Sequence, residues 1–384
     1  MSQKPEWTPR VWQGCTFPAF IHMLWEHRFA VNPRFAYMPV VMTTSSILNS
    51  SLQWIQESWH GDRLDRSQLA QSPLFIIGHW RSGTTLLHEL LALDPSFNYP
   101  TTYQCLCPHH FLLTGRMADP FLGWMLPSRR PMDNVAVGWN RPQEDEFALA
   151  LLGQPSPYSE IAFPNDPPVP NEQIDIDRLP PSKREKWKST LLGFLKRVSY
   201  RDPRRLILKS PPHSFRLPTI LELFPDAQFI HIVRNPYVIF SSTVKLFRTL
   251  YQTHGLQVPH FRGLEERILS RFEHLYERIE TGRRLVPASN FHEIRYEDLV
   301  RDPVARIEEM YRALRLGDFS LARPRLEEYL RANSDYQTNR FSPLDPEIHE
   351  TIHRRWGPVI DRYDYSAPGD PIKPGTMQGQ TTNT

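Results

Sequence analysis

The sequence predicts an α/β fold in three layers, a central parallel sheet flanked by helices, with a helical extension at its N-terminus. Three observations carry that expectation. A continuous apolar run, Leu74 to Ile77, is cut by Gly78 and followed by "TTLLHELLAL", whose leucines recur at helical spacing. From residue 182 onward, helical and strand-like segments alternate, which calls for crossover connections and parallel strands. The residues richest in chemistry fall just after the strand-like runs, where open α/β sheets gather their ligands.

In chain order, residues 1–70 are aromatic-rich and helical in pattern, as in "FPAFIHMLWEHRF" and "MTTSSILNSSLQWIQESW". They read as an extension packed on the core, with an amphipathic segment lying on a membrane surface as the alternative. The run "LFII" has the unbroken apolar character of a strand covered on both faces. Its helix ends before Asp94-Pro95, and an irregular stretch follows to about residue 152. Residues 153–181 hold too many prolines for long regular elements, and read as a loop over an acceptor site or as a spacer. Next comes a helix with Trp187, Leu191, Leu192, Leu195 and Val198 on one side, then the strand "RRLILKSPP". The short helix "SFRLPTILELF", the strand "AQFIHIVRNP", helices over 237–252 and 262–283, the strand "FHEIRYEDL" and the helix "DPVARIEEMYRALRL" complete the alternation. The main domain is expected over 71–365, and the small, polar, proline-bearing residues 366–384 read as a disordered tail.

Composition narrows the function. The 384 residues are 40% hydrophobic and 23% charged with a net charge of +3, ordinary for a globular protein and too weakly basic to suggest nucleic acid. Three cysteines cannot build a disulfide framework, and no leader pattern is visible, so a reducing, cytoplasmic location is expected. No apolar run is long enough to span a bilayer; peripheral membrane contact through residues 1–60 stays open.

The site is read from "PLFIIGHWRSGTT", residues 73–85. Gly78 and Gly83 have the spacing of a nucleotide-triphosphate loop, yet Thr84 stands where that loop needs its lysine. A cation sits inside the loop instead, at Arg81. Ser82, Gly83, Thr84 and Thr85 would present backbone N–H groups, hydroxyls and a helix N-terminus to an anion. The neighbouring strands end in Lys209-Ser210 and Arg234, with no acid to help hold Mg²⁺. A cationic site without a magnesium ligand suits a transferred group bearing less charge than phosphoryl, of which sulfuryl is the obvious example.

"RSGTT" after one strand and "RNPYVIFSS" after a later one resemble the two donor-binding motifs of the sulfotransferases that use 3′-phosphoadenosine 5′-phosphosulfate (PAPS). Arg234 and Ser242 lie eight residues apart, as do the family's 3′-phosphate ligands, and "RYEDLVRDP" is similar to the segment whose tyrosine, here Tyr296, sits by the adenine. The resemblance covers roughly residues 73–315 and implies a P-loop-like fold, PAPS as co-substrate, no metal, and an arginine-type 5′-phosphosulfate loop. Arg81 would then face the 5′-phosphate and the transferring group, and Lys209 would support the leaving oxygen. For the base, His213 in "KSPPHS" is the first choice, although the family's histidine stands two residues earlier, where Pro211 is found. Glu144, in the acidic trio Glu144-Asp145-Glu146, is the second choice, because the branches with arginine in the loop include members that use a glutamate.

Arg340 in "YQTNRF" is a further candidate for the 3′-phosphate. Cys105, Cys107, His109 and His110 in "CLCPHH" are spaced too tightly for a common zinc site and read as packing or acceptor-pocket lining. The acceptor is unnamed by the sequence: a small molecule, lipid or glycoside. A P-loop kinase with an altered loop, and a non-catalytic nucleotide-binding protein held at a membrane, are the rival readings.

Overall fold

The computed structural model of the protein describes residues 10–115, 138–333 and 344–366. Five parallel strands form one sheet in the order β2-β3-β1-β4-β5: β1 Leu74–Ile77, β2 Phe97–Asn98, β3 Arg205–Lys209, β4 Gln228–Val233 and β5 Phe291–Arg295. The central strand is therefore β1, and β3, which carries Lys209, is its neighbour. The two-residue β2 is too short to leave a periodic signal in the sequence. The segment "FHEIRYEDL" divides at Arg295: the strand ends there and Tyr296–Arg301 is helical, with Glu297 and Asp298 in its first turn, where the helix dipole favours acids.

All four residues of β1 are fully buried because helices cover both faces of the sheet. Phe75 and Ile77 pack with Trp187, Leu191, Phe194 and Leu195 of the helix Pro181–Ser199, while Leu74 and Ile76 pack with Leu87, Leu90 and Leu91 of the helix Thr84–Leu91. The alternation is the two-residue period of a strand. Each such apolar side chain contributes about 1.5–3 kcal/mol on burial. This layering holds the C-terminal ends of β1, β3 and β4 side by side.

A third cluster lies away from the sheet. Trp12, Phe20, Leu24, Met38 and Met42 from the N-terminal residues join Phe240, Tyr251, Phe272 and Trp356. The helices here are Phe17–Glu26, Tyr37–Arg66, Pro236–His254, Leu264–Arg283 and Pro346–Arg362. The buried side of Tyr37–Arg66 is partly polar, and its amides are used. Asn49 donates to the carbonyls of Gln13 and Cys15, and Gln56 donates to the carbonyl of His109 while accepting from the Leu112 N–H. Of the tail expected over 366–384, only Ser366 is among the described residues.

Candidate active site

The loop leaving β1 is bent by three left-handed residues, Gly78 (φ 145°), Arg81 (φ 71°) and Gly83 (φ 104°). At Gly83 the requirement is also steric: a Cβ there would fall 2.3 Å from Cδ2 of Tyr296. Arg81 pays the strain of an unusual backbone angle for a side chain, and such strain concentrates at functional loops. Ser82 is fully buried, and its hydroxyl donates to the carbonyl of His79, so it holds the loop's own shape. Thr84 and Thr85 open the helix Thr84–Leu91.

The second motif meets the first directly. Nε of Arg81 donates to the Ser242 hydroxyl at 2.7 Å, and Nη1 of Arg234 donates to the Arg81 carbonyl at 3.0 Å. The Arg234 guanidinium lies over the Tyr296 ring, 4.1 Å from its centre, a cation–π contact. Arg81, Ser82, Gly83, Thr84, Thr85, Arg234, Ser242 and Tyr296, drawn from three segments of sequence, thus form one cluster at the strand ends. Arg340 lies outside the described residues.

Beside this cluster the acidic trio meets three basic side chains in sequence order. Glu144 accepts from Nζ of Lys209 at 2.6 Å, Asp145 is 2.6 Å from Nε2 of His213, and Glu146 takes Arg216 through both guanidinium nitrogens, at 2.5 and 3.0 Å. The three pairs face different surroundings. Asp145, Glu146, His213 and Arg216 are fully buried, whereas Glu144 keeps 13% of its side chain exposed. Burial would raise the Asp145 carboxyl, but the charge of His213 and the hydrogen bonds from His213 and Ser210 outweigh it and hold the group below its usual range. His213 is thus enclosed in a buried pair with Asp145, its ring edge-on to that of Phe75.

Lys209 links the two halves. Its ammonium, 1% exposed, reaches Thr85 Oγ1 at 3.3 Å as well as Glu144. The other oxygen of Glu144 accepts from the hydroxyl of Tyr158, which in turn accepts from Nε1 of Trp80 at 3.2 Å. Burial pushes the Tyr158 phenol well above its usual range, and the Glu144 carboxylate adds to it, so the phenol stays a donor. Sequence reasoning missed Tyr158, which lies in the proline-rich stretch. It also missed the pairing order, although the spacing of Lys209, His213 and Arg216 behind three successive acids was a legible signal.

Cys105 is buried, and His110 shares its ring nitrogens between Asn49 and Thr114. Among the described residues no group of three His, Cys, Asp or Glu side chains could hold a metal ion.

Comparison with known proteins fits this geometry. The chain is 44% identical over 365 residues, covering 95% of itself and 94% of the relative, to the omega-hydroxy-beta-dihydromenaquinone-9 sulfotransferase Stf3 of Mycobacterium bovis; the same figures hold for the protein of that name from Mycobacterium tuberculosis. Among solved structures, sulfotransferase STF9 from Mycobacterium avium superposes with a TM-score of 0.68 at 18% identity, over 94% of this chain and 93% of that one. Sulfotransferase STF1 from Mycobacterium tuberculosis H37Rv gives 0.60 at 17% identity, over 88% and 91%. Both share the P-loop-like fold expected from the loop after β1. The model of the sulfotransferase family matches residues 73–320, nearly the whole stretch from the first strand to the helix behind the last, and the chain belongs to that family.

Proposed function

We propose that this sulfotransferase moves a sulfuryl group from PAPS to the hydroxyl of an apolar, lipid-like alcohol, with Glu144 as base. The observation that carries the reading is the position of Lys209, between Thr85 of the phosphate loop and Glu144. One cation there touches the donor side and the acceptor side of the same site.

Arg81, the loop N–H groups and the threonines would hold the 5′-phosphosulfate, and Arg81 suits oxygens in pairs because its N–H donors form a planar fork. Arg234 and Ser242 would take the 3′-phosphate, and Tyr296 the adenine. The acceptor oxygen attacks sulfur as Glu144 takes its proton. The bond from sulfur to the bridging oxygen breaks, and the 5′-phosphate leaves with the electron pair. Lys209 and Arg81 stabilise the charge that grows on the bridging oxygen. The products are a sulfate ester and adenosine 3′,5′-bisphosphate, with the proton on Glu144.

The acceptor class is drawn from the relatives, named for a hydroxylated menaquinone. The aromatic side chains of Trp80, Phe147 and Tyr158 beside Glu144 supply an apolar wall consistent with it. Calorimetry with adenosine 3′,5′-bisphosphate, ATP as comparison and Arg234→Ala as control tests the donor. Strong wild-type binding, weak ATP binding and loss in the variant are expected; equal affinity for ATP would reject the 3′-phosphate assignment.

A further inference from the structure

Of the fifteen large apolar side chains exposed among the described residues, eleven lie between Phe17 and Trp59. Single exposed apolar residues are ordinary, but such a concentration on two adjoining helices and the turn between them marks a docking surface. Residues 35–56 contain no charged side chain at all. Met38, Met42, Asn49 and Gln56 turn inward from the helix Tyr37–Arg66, so Val40, Val41, Ile47 and Leu48 face out. Tryptophans stand at both ends of this face: Trp25 is 68% exposed, Trp54 71% and Trp59 69%. Beside Trp25, Arg28 and Phe29 adopt consecutive left-handed angles (φ 52° and 55°), a strained turn that leaves Phe29 57% exposed.

We propose that this face docks on a lipid bilayer carrying anionic headgroups, with the helix Tyr37–Arg66, about 45 Å long, lying in the interface. An uncharged outer face, indole rings at both ends and arginines beyond it match the depth profile of a bilayer surface, where aromatic rings sit at headgroup level and arginines reach phosphates. Arg28 and Arg34 supply that charge at one end, beside the exposed acid Glu26; the other end is mixed too, with Arg63 and Arg66 among Glu57, Asp62 and Asp65. No helix among the described residues is long and apolar enough to cross the membrane. The inference rests on the reading of the acceptor as lipid-like, and the packing connects the two. The main chain at Gly14 lies so close to Leu151 that a Cβ there would fall 2.7 Å from its Cδ1, and Leu151 ends the helix that Glu144 caps. Asn49 of the docked helix holds the carbonyls on either side of Gly14, so this turn links the docked face to the element carrying Glu144, and an alcohol too apolar to leave the bilayer would be met at its surface.

The test is co-sedimentation of the full chain with phosphatidylcholine vesicles, with and without phosphatidylglycerol, alongside sedimentation velocity and nucleotide calorimetry. Binding to the anionic vesicles with a blue shift of tryptophan emission is expected. Trp25→Ser, Trp54→Ser and Trp59→Ser should each weaken binding about tenfold, and Arg28→Glu at least fivefold. All four should leave adenosine 3′,5′-bisphosphate affinity unchanged. Wild-type protein that ignores both vesicle types, or tryptophan variants that bind as tightly as wild type, would overturn the proposal. So would a solution dimer that these substitutions dissociate without any vesicle binding by the wild type, since a second copy would then cover the face. Failed nucleotide binding with intact vesicle binding would count against the donor reading alone.

Discussion

Arg81 and Ser242, 161 residues apart, are joined by a 2.7 Å hydrogen bond from guanidinium Nε to the hydroxyl. With the bond from Arg234 to the Arg81 carbonyl, it ties the loop after β1 to the first turns of the helix Pro236–His254. The two segments that resemble donor motifs therefore share one seat, and the shape of each depends on the other.

Ser242→Ala separates the two duties of this hydroxyl. A hydrogen bond to a charged group is worth about 1.5–3 kcal/mol, so adenosine 3′,5′-bisphosphate should bind roughly ten- to a hundredfold more weakly. Adenosine 5′-monophosphate, which has no 3′-phosphate, should lose little. Equal losses for both nucleotides would mean that Ser242 acts only by positioning Arg81.

Gly83→Ala places a methyl group 2.3 Å from the Tyr296 ring on a backbone with φ of 104°. The ring must move, and the Arg234 guanidinium stacked on it moves too. Denaturant unfolding should show a loss of about 1–3 kcal/mol, with nucleotide affinity reduced in the folded protein. Wild-type affinity would show that Tyr296 is not part of the nucleotide seat.

Glu144→Gln and His213→Asn should fail in different ways. The first keeps the shape of a side chain near the loop and removes its proton-accepting charge. Its kcat should fall about 10²- to 10⁴-fold, with nucleotide affinity within about threefold of wild type. The second takes from buried Asp145 the imidazole it is paired with and should cost about 3–5 kcal/mol of stability, while the folded fraction keeps most of its turnover. A folded, stable His213→Asn protein without activity would restore His213 as the base.

Acid stability should report on Glu293. Burial would raise this carboxyl, but its bond to His231, the charge of His231 and the Tyr363 hydroxyl bring it from 4.5 down to about 2. A carboxyl depressed in the folded state stabilises the protein above its unfolded pKa, and the contribution disappears as pH falls from 4.5 toward 2. The stability gap between wild type and Glu293→Gln in urea titrations should therefore be widest above pH 5. Below pH 4.5 it should narrow by at most about 1.4 kcal/mol per unit. A gap that stays constant down to pH 3.5 would contradict this.

The features legible in sequence were those written in neighbouring residues. The run Leu74–Ile77 and the leucines after Thr84 announce a buried strand and its helix by period alone, and Gly83 announces a backbone angle. What was hidden depends on partners far along the chain. Nothing local to His213 says that it is enclosed with Asp145, 68 residues away, or that Glu144 alone of its trio keeps contact with the surface. The strand Phe97–Asn98 exists because β3 offers it an edge, and so short a pairing has no pattern of its own. Proline density over 153–181 correctly excludes long elements, but it does not reveal that Tyr158 is carried into the site.

Tyr158 gives the most selective test of the base. Its hydroxyl donates to one Glu144 oxygen while Lys209 takes the other, so the carboxylate is held from both sides. Removing a donor to a carboxylate favours its protonated form. In Tyr158→Phe, the acid limb of the kcat profile should shift to higher pH, and kcat should fall about tenfold, in keeping with one lost charge-assisted hydrogen bond. Donor KM should hardly change, because the phenol makes no bond to the residues of the nucleotide seat. A Tyr158 that merely packs the proline-rich segment would lower stability and leave the acid limb where it was. Only a phenol acting through Glu144 moves the limb, and the shift would identify the titrating base without substituting it.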